Sequence, residues 1–141
     1  FILRGLPTIA LRYHAQDQAS RTLAAWLGTQ TAVRQVLHPA LPGSPGHAHW
    51  AATSSAAAGL FSVMLDPAFS AAQVDAFVDA LKLFKIGYSW GGPVSLVVPY
   101  DLDGMRADRS ALPGHLVRFS IGLEAVVDLQ ADLAQALRQL G

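Results

Sequence analysis

The 141-residue chain reads as one α+β domain of two layers, a mostly antiparallel sheet packed with helices. Three observations predict this class. Segments 6–28, 70–84 and 125–140 carry apolar residues at helical spacing. Short runs of apolar and β-branched residues lie between and around them, at 32–37, 59–65, 94–99 and 115–121. Glycine and proline clusters punctuate the two kinds of segment. The composition, 52% hydrophobic and 14% charged, is too apolar for a disordered chain and supplies enough material for one core.

Each element has a local cause. Pro7 suits the first turn of a helix from Leu6 to Gly28, in which Ile9, Leu11, Leu23, Trp26 and Leu27 are the apolar positions and Gly28 the stop. Ala32 to Leu37 is a strand, and His38 to Gly43, with two prolines, a rigid loop. Ser44-Pro45 offers an N-cap and first-turn proline for a short helix near Gly46 to Ala52. Gly59 to Leu65 is the second strand. Ser70-Ala71-Ala72-Gln73 is a capping box, opening a helix expected to reach about Phe84 with Val74, Phe77, Val78, Leu81 and Phe84 on its buried side. Strand Val94 to Pro99, a polar loop from Asp101 to Gly114 and strand His115 to Ile121 follow. The last helix, Ala125 to Leu140, lines up Val126, Leu129, Leu133 and Leu137.

Several function classes are excluded or disfavoured. Ten basic residues balance ten acidic ones, so no electrostatic footprint for nucleic acid exists. No apolar stretch reaches the roughly 20 residues that span a bilayer. With no cysteine there is no disulfide, thiolate metal site or cysteine nucleophile, which fits a cytoplasmic protein. His47-x-His49 lacks further ligands, and no metal site is expected. No GxSxG elbow or nucleotide-binding glycine loop is present. The only lysines, Lys82 and Lys85, read as charges complementing a helix C-terminus rather than as nucleophiles. Phe1-Ile2-Leu3 has neither an initiator Met nor a signal-peptide layout, so a fragment or processed piece is expected. The low charge implies a face that packs against another domain or subunit.

Two segments carry chemistry. Arg118 interrupts the apolar run Leu116–Leu123. A guanidinium keeps its charge in a protein, so there it needs an anion. On the residues alone two readings stand: an Asp or Glu elsewhere in the fold, or a ligand carboxylate met by the planar fork. Glu124, the only glutamate, is expected at the start of the last helix, where the helix dipole favours it. The second segment is Gly87-Tyr88-Ser89-Trp90-Gly91-Gly92. Its glycines permit close backbone approach to a ligand, Ser89 supplies a hydroxyl and an amide, and Tyr88 and Trp90 supply apolar walls with polar tips.

These motifs resemble the C-terminal part of the Cys/Met-metabolism enzymes that use pyridoxal phosphate, with the bacterial β-lyase type nearest. The resemblance runs through Arg4-Gly5-Leu6 and Thr8, His38-Pro39-Ala40-Leu41-Pro42, Pro45-Gly46-His47, Gly59-Leu60-Phe61-Ser62, Leu83-Phe84, Tyr88-Ser89-Trp90-Gly91-Gly92, Ser95-Leu96, Arg118, Ile121-Gly122-Leu123-Glu124, Asp128-Leu129 and Asp132-Leu133. It implies the small C-terminal domain of a fold-type-I enzyme over residues 1–141, with the large cofactor-binding domain absent. It implies that Arg118 binds the substrate α-carboxylate, helped by Ser89 and the Trp90 indole N–H. Tyr88 stands where γ-type relatives carry Glu. The implied reaction is α,β-elimination of L-cystathionine or a related sulfur amino acid by a cytoplasmic homotetramer. Pyridoxal 5'-phosphate would be bound by the parent enzyme and not by this piece, which is expected to be inactive alone. Pro93-Val94 departs from the family's apolar-or-aromatic residue and Glu. Two alternatives are a γ-lyase or γ-synthase parent and a non-catalytic interaction module derived from the domain.

Overall fold

In the computed structural model, which describes residues 2–102, 105 and 114–141, five strands form one sheet in the order β1-β2-β5-β4-β3. They are β1 (Val33–Leu37), β2 (Leu60–Leu65), β3 (Lys85–Ile86), β4 (Leu96–Tyr100) and β5 (His115–Ser120). The pairings β1·β2, β2·β5 and β4·β5 are antiparallel, and β3 joins β4 in parallel. The sheet is therefore mixed and mostly antiparallel, as expected from the sequence. β3 is the strand the sequence reading lacks, because two residues are too few to show a period. The expected loop from Asp101 to Gly114 falls largely outside the described residues.

Helices cover one face of the sheet. The long α2 (Ile9–Leu27) follows a one-turn α1 (Ile2–Gly5) and a tighter turn at Leu6–Thr8 that contains Pro7. It buries Leu23, Ala24 and Leu27, while α4 (Ala71–Asp79) contributes Val74, Phe77 and Val78, and α5 (Val126–Leu137) Leu129, Leu133 and Ala136. The strands answer with Phe61, Val63, Val97, Val117 and Phe119. Phe119 touches Phe61 and Phe84, with ring centroids 5.5 Å apart in both pairs. Each fully buried side chain of this size stabilises by about 1.5–3 kcal/mol over an exposed one.

Two helix boundaries differ from expectation. The Ser70–Gln73 capping box forms, but α4 ends at Asp79 and not near Phe84. Leu81 and Phe84 are still buried, yet they reach the core from a turn. Asp132 of α5 is the cause. Its buried carboxylate accepts the N–H groups of Lys82 at 3.0 Å and Leu83 at 2.8 Å, which diverts them from helical partners. Lys82 and Lys85 consequently do not sit at a helix end. Lys85 lies in β3 and its ammonium donates to the Lys82 carbonyl at 2.8 Å. The short helix α3 (His47–Thr53) is preceded by Gly46 at φ +78°, not capped by Ser44. Ser44 is buried, and its carbonyl accepts the His47 N–H.

His38 ties α2 to the loop after β1. It is fully buried. Its Nδ1 accepts the Ala40 N–H at 3.2 Å, so the neutral ring carries its proton on Nε2, which faces Ser20 Oγ at 3.1 Å. Ser20 Oγ in turn donates to Ala58 O at 2.8 Å. Nearby, Asp17 pairs with Arg21 at 3.0 Å. Burial, seconded by the Arg21 charge and opposed by Asp17, lowers the His38 pKa from its ordinary 6.5. The unfolded chain therefore takes up a proton that folded His38 resists. This group leaves stability intact above about pH 6.5 and erodes it as pH falls from there toward the lowered folded value. Thermal unfolding between pH 7.5 and 5 is expected to show that decline, and His38→Gln, which keeps a donor toward Ser20, is expected to flatten it. Equal pH slopes for the two proteins would refute the assignment.

Candidate functional site

Strand register aims Arg118 away from the helices. It pairs with Ser62 on β2 and Val98 on β4, and its neighbours Val117 and Phe119 are buried in the core. Alternation therefore puts Arg118 on the opposite face, with Tyr100 diagonal to it on β4. The guanidinium lies over the Tyr100 ring, 5.6 Å from its centroid. Its Nη2 donates to the carbonyls of Tyr88 at 2.8 Å and Ser89 at 3.4 Å. The Nε–H is buried without a partner. Among the described residues no carboxylate pairs with Arg118, whose polar partners there are neutral carbonyls. The positive charge is oriented but not cancelled, and Nε–H remains a donor for an incoming anion.

The turn that supplies those carbonyls projects Tyr88 and Trp90 outward, 69% and 64% exposed. Tyr88 stands edge-on to Tyr100 with centroids 6.1 Å apart. Gly91 adopts φ +72°, a conformation side chains disfavour. Ser89, itself exposed, meets Arg118 through its carbonyl. Two bonds from distant segments hold the far end. Gln16 Nε2 of α2 donates to Gly92 O at 2.8 Å, and Leu123 N–H to Pro93 O at 2.9 Å.

Glu124 has a different place from the one expected. α5 begins at Val126, and the Glu124 carboxylate instead accepts Ser95 N–H and Ser95 Oγ–H, each at 2.8 Å. Ser95 Oγ accepts the Gly122 N–H at 2.8 Å. This clasp joins the start of β4 to the segment after β5. A Cβ on Gly122 would lie 2.4 Å from Pro93 O, so only glycine allows the two backbones to meet.

Arg118, Tyr88 and Ser89 thus come together, with Trp90 on the same turn. Tyr100 and Gln16 were missed. Tyr100 follows from alternation once β4 and β5 are paired, whereas Gln16 had no local signal. His47 stacks on Trp50 at 5.8 Å, its Nδ1 lies 2.8 Å from Pro39 O, and His49 is exposed. No group of three metal-binding side chains occurs among the described residues. Neither lysine has the setting of an imine to pyridoxal phosphate. A lysine that forms an imine needs a desolvated or cation-flanked setting, whereas Lys82 and Lys85 are exposed.

Removing the clasp is expected to weaken the fold. Glu124→Ala leaves the buried Ser95 N–H without its acceptor and is expected to cost about 2 kcal/mol in urea unfolding. Gly122→Ala is expected to cost at least as much by displacing Pro93. Unchanged midpoints would show that the clasp is not needed.

The family described as Cys/Met metabolism PLP-dependent enzyme matches residues 1–138. A cystathionine β-lyase from Salmonella typhimurium is 41% identical over 141 residues, covering 97% of this chain and 36% of the relative. An L-alanine/L-glutamate racemase from Wolbachia pipientis is 37% identical over 139 residues, covering 97% of this chain and 34% of the relative. The crystal structure of a cystathionine γ-synthase from Xanthomonas oryzae superposes with a TM-score of 0.85 at 33% identity, covering 98% of this chain and 37% of that one. The chain spans about a third of the length of these relatives. With a match over nearly its whole length, the chain belongs to the Cys/Met metabolism family of pyridoxal-phosphate-dependent enzymes.

Proposed function

We propose that residues 1–141 are the substrate-recognition C-terminal domain of a pyridoxal-phosphate-dependent cystathionine β-lyase. The observation that carries this reading is the oriented, uncancelled charge of Arg118, with its unpartnered Nε–H beside the Tyr88-Ser89-Trp90 turn. The overall reaction is α,β-elimination, in which L-cystathionine and water give homocysteine, pyruvate and ammonia. The electron sink for that cleavage is the cofactor's chemistry.

This chain's own part is recognition. Arg118 takes the α-carboxylate through charge-assisted hydrogen bonds and Tyr100 supports the guanidinium from below. Ser89 and the Trp90 indole N–H add donors at the rim, and Tyr88 forms a wall. Because these groups ride on a sheet and on an anchored turn, the substrate meets a preformed site. In the proposal, the Schiff-base lysine and the cofactor lie in a large domain outside this chain. The parent is a cytoplasmic homotetramer, and the chain alone is inactive. Exposed Ile2, Leu3, Leu6, Ile9 and Leu11 supply apolar surface for that assembly. The same surface would serve a detached, non-catalytic interaction module. A clean monomer by light scattering, with no affinity for apolar dyes, would count against that alternative.

A γ-type parent is the second reading, favoured by the close superposition on the γ-synthase. Tyr88, standing where γ-type relatives carry Glu, favours the β-type. Product analysis separates them, since α,γ-elimination of cystathionine yields cysteine and 2-oxobutyrate in place of homocysteine and pyruvate.

In the full-length protein, Arg118→Ala is expected to raise KM for L-cystathionine roughly 30–150-fold, corresponding to about 2–3 kcal/mol for a lost charged hydrogen-bonding pair. An unchanged KM would remove the carboxylate role. The purified 141-residue chain, mixed with pyridoxal phosphate and L-cystathionine, is expected to release no pyruvate. Release of pyruvate would overturn its inactivity.

A further inference from the structure

Gln16 is a polar side chain that the recognition scheme leaves unused. It lies on α2, is 5% exposed, and reaches across 76 positions of sequence to donate from Nε2 to Gly92 O at 2.8 Å. Gly92 is the last residue of the substrate-facing turn. Space for this reach is provided by Gly59, where a Cβ would stand 3.1 Å from the Gln16 Cβ and 2.8 Å from Ile121 O. The same stretch of α2 is fixed by further bonds. Asp17 Oδ1 accepts the Ala57 N–H at 2.6 Å, Ser20 donates to Ala58 O, and Arg21 Nη2 donates to Ser55 O at 3.4 Å. Gln16 therefore projects from a fixed platform.

The turn needs such an anchor. Gly91 and Gly92 would leave a Cβ in open space, so no side-chain packing restrains them. At the near end the restraint is Arg118 itself, bonded to the Tyr88 and Ser89 carbonyls. At the far end the Leu123 N–H to Pro93 O bond fixes the residue after the turn, and Gln16 extends that restraint onto Gly92 itself.

We propose that Gln16 is a positioning residue for the carboxylate site. By holding Gly92, it fixes the carbonyls of Tyr88 and Ser89, and through them the direction of the Arg118 donors. This rests on the reading of Arg118 as the carboxylate ligand. Gln16 touches no substrate, so its loss acts on binding more than on turnover.

The experiment is steady-state kinetics of the full-length protein with L-cystathionine for Gln16→Leu, Gln16→His and Arg118→Ala, each checked by thermal unfolding. Gln16→Leu keeps the packing and removes the donor. It is expected to raise KM about tenfold, the worth of one hydrogen bond, with kcat changed by less than about threefold. Gln16→His restores a ring N–H of similar reach and is expected to recover most of that loss. A Gln16→Leu KM within about twofold of the unaltered protein, while Arg118→Ala is impaired, overturns the positioning role alone. Equal impairment of the Leu and His variants also overturns it, since the donor would then be irrelevant. If Arg118→Ala has no effect, the carboxylate reading itself fails. Should Gln16→Leu not fold, Gln16→Glu takes its place. It matches Gln16 in size and lacks the N–H, and the same comparison with Gln16→His decides.

Discussion

β5 is hydrogen-bonded on both sides, to β2 and to β4, so a single register decides two faces of the sheet together. The register that lays Val117 and Phe119 against the helices turns Arg118 outward. A slip by one residue would drive the guanidinium into a core of Leu23, Phe77 and Leu133. Burying an unpaired charge there costs several kcal/mol, far more than any single apolar contact returns. The hydrophobic packing that folds the domain is thus the same force that aims its one distinctive cation.

Arg118 and the glycine turn then constrain each other. The guanidinium supplies donors for two carbonyls on a segment that has no secondary structure of its own, and those carbonyls hold the guanidinium over Tyr100. Beyond Gly92 the chain is fixed by backbone and clasp bonds. Pro93 O is held by Leu123 N–H, and Ser95 by Glu124. The site is therefore a meeting of segments far apart in sequence, and at Gly122 their backbones come too close for a Cβ.

Much of this was legible in the sequence. Periodicity gave the helix and strand types, since burying one face leaves a repeating mark. Arg118 stood out because a charge inside an apolar run breaks that mark. Errors arose where a side chain from elsewhere outbid the local signal. Asp132 ended α4 early, although Leu81 and Phe84 remained on the buried side as the spacing implied. Glu124 looked like a helix-start acid and instead gripped Ser95. Gln16 and Tyr100 are residue types common on any helix or strand, and their roles exist only after the chain folds. The order of motifs identified the family but not one activity, for relatives of similar identity include a β-lyase and a racemase.

That spread of activities bears on Pro93-Val94, the pair that follows the turn. Flanking bonds fix both ends of this pair: Pro93 through its own carbonyl, and Ser95 through its amide and hydroxyl. None of these bonds uses a side chain at 93 or 94. The bonds that hold this stretch therefore do not depend on the two side chains, which add only surface to the loop. What it presents is Val94, 46% exposed, on the stretch that also carries Tyr88 and Trp90. An α-carboxylate is common to every amino-acid substrate, so a guanidinium that binds it cannot tell one substrate from another. If Arg118 fills that role, discrimination must come from groups that meet the rest of the substrate. On this argument a side-chain change at position 94 would bear on what the loop presents to a ligand and not on the bonds that hold its ends.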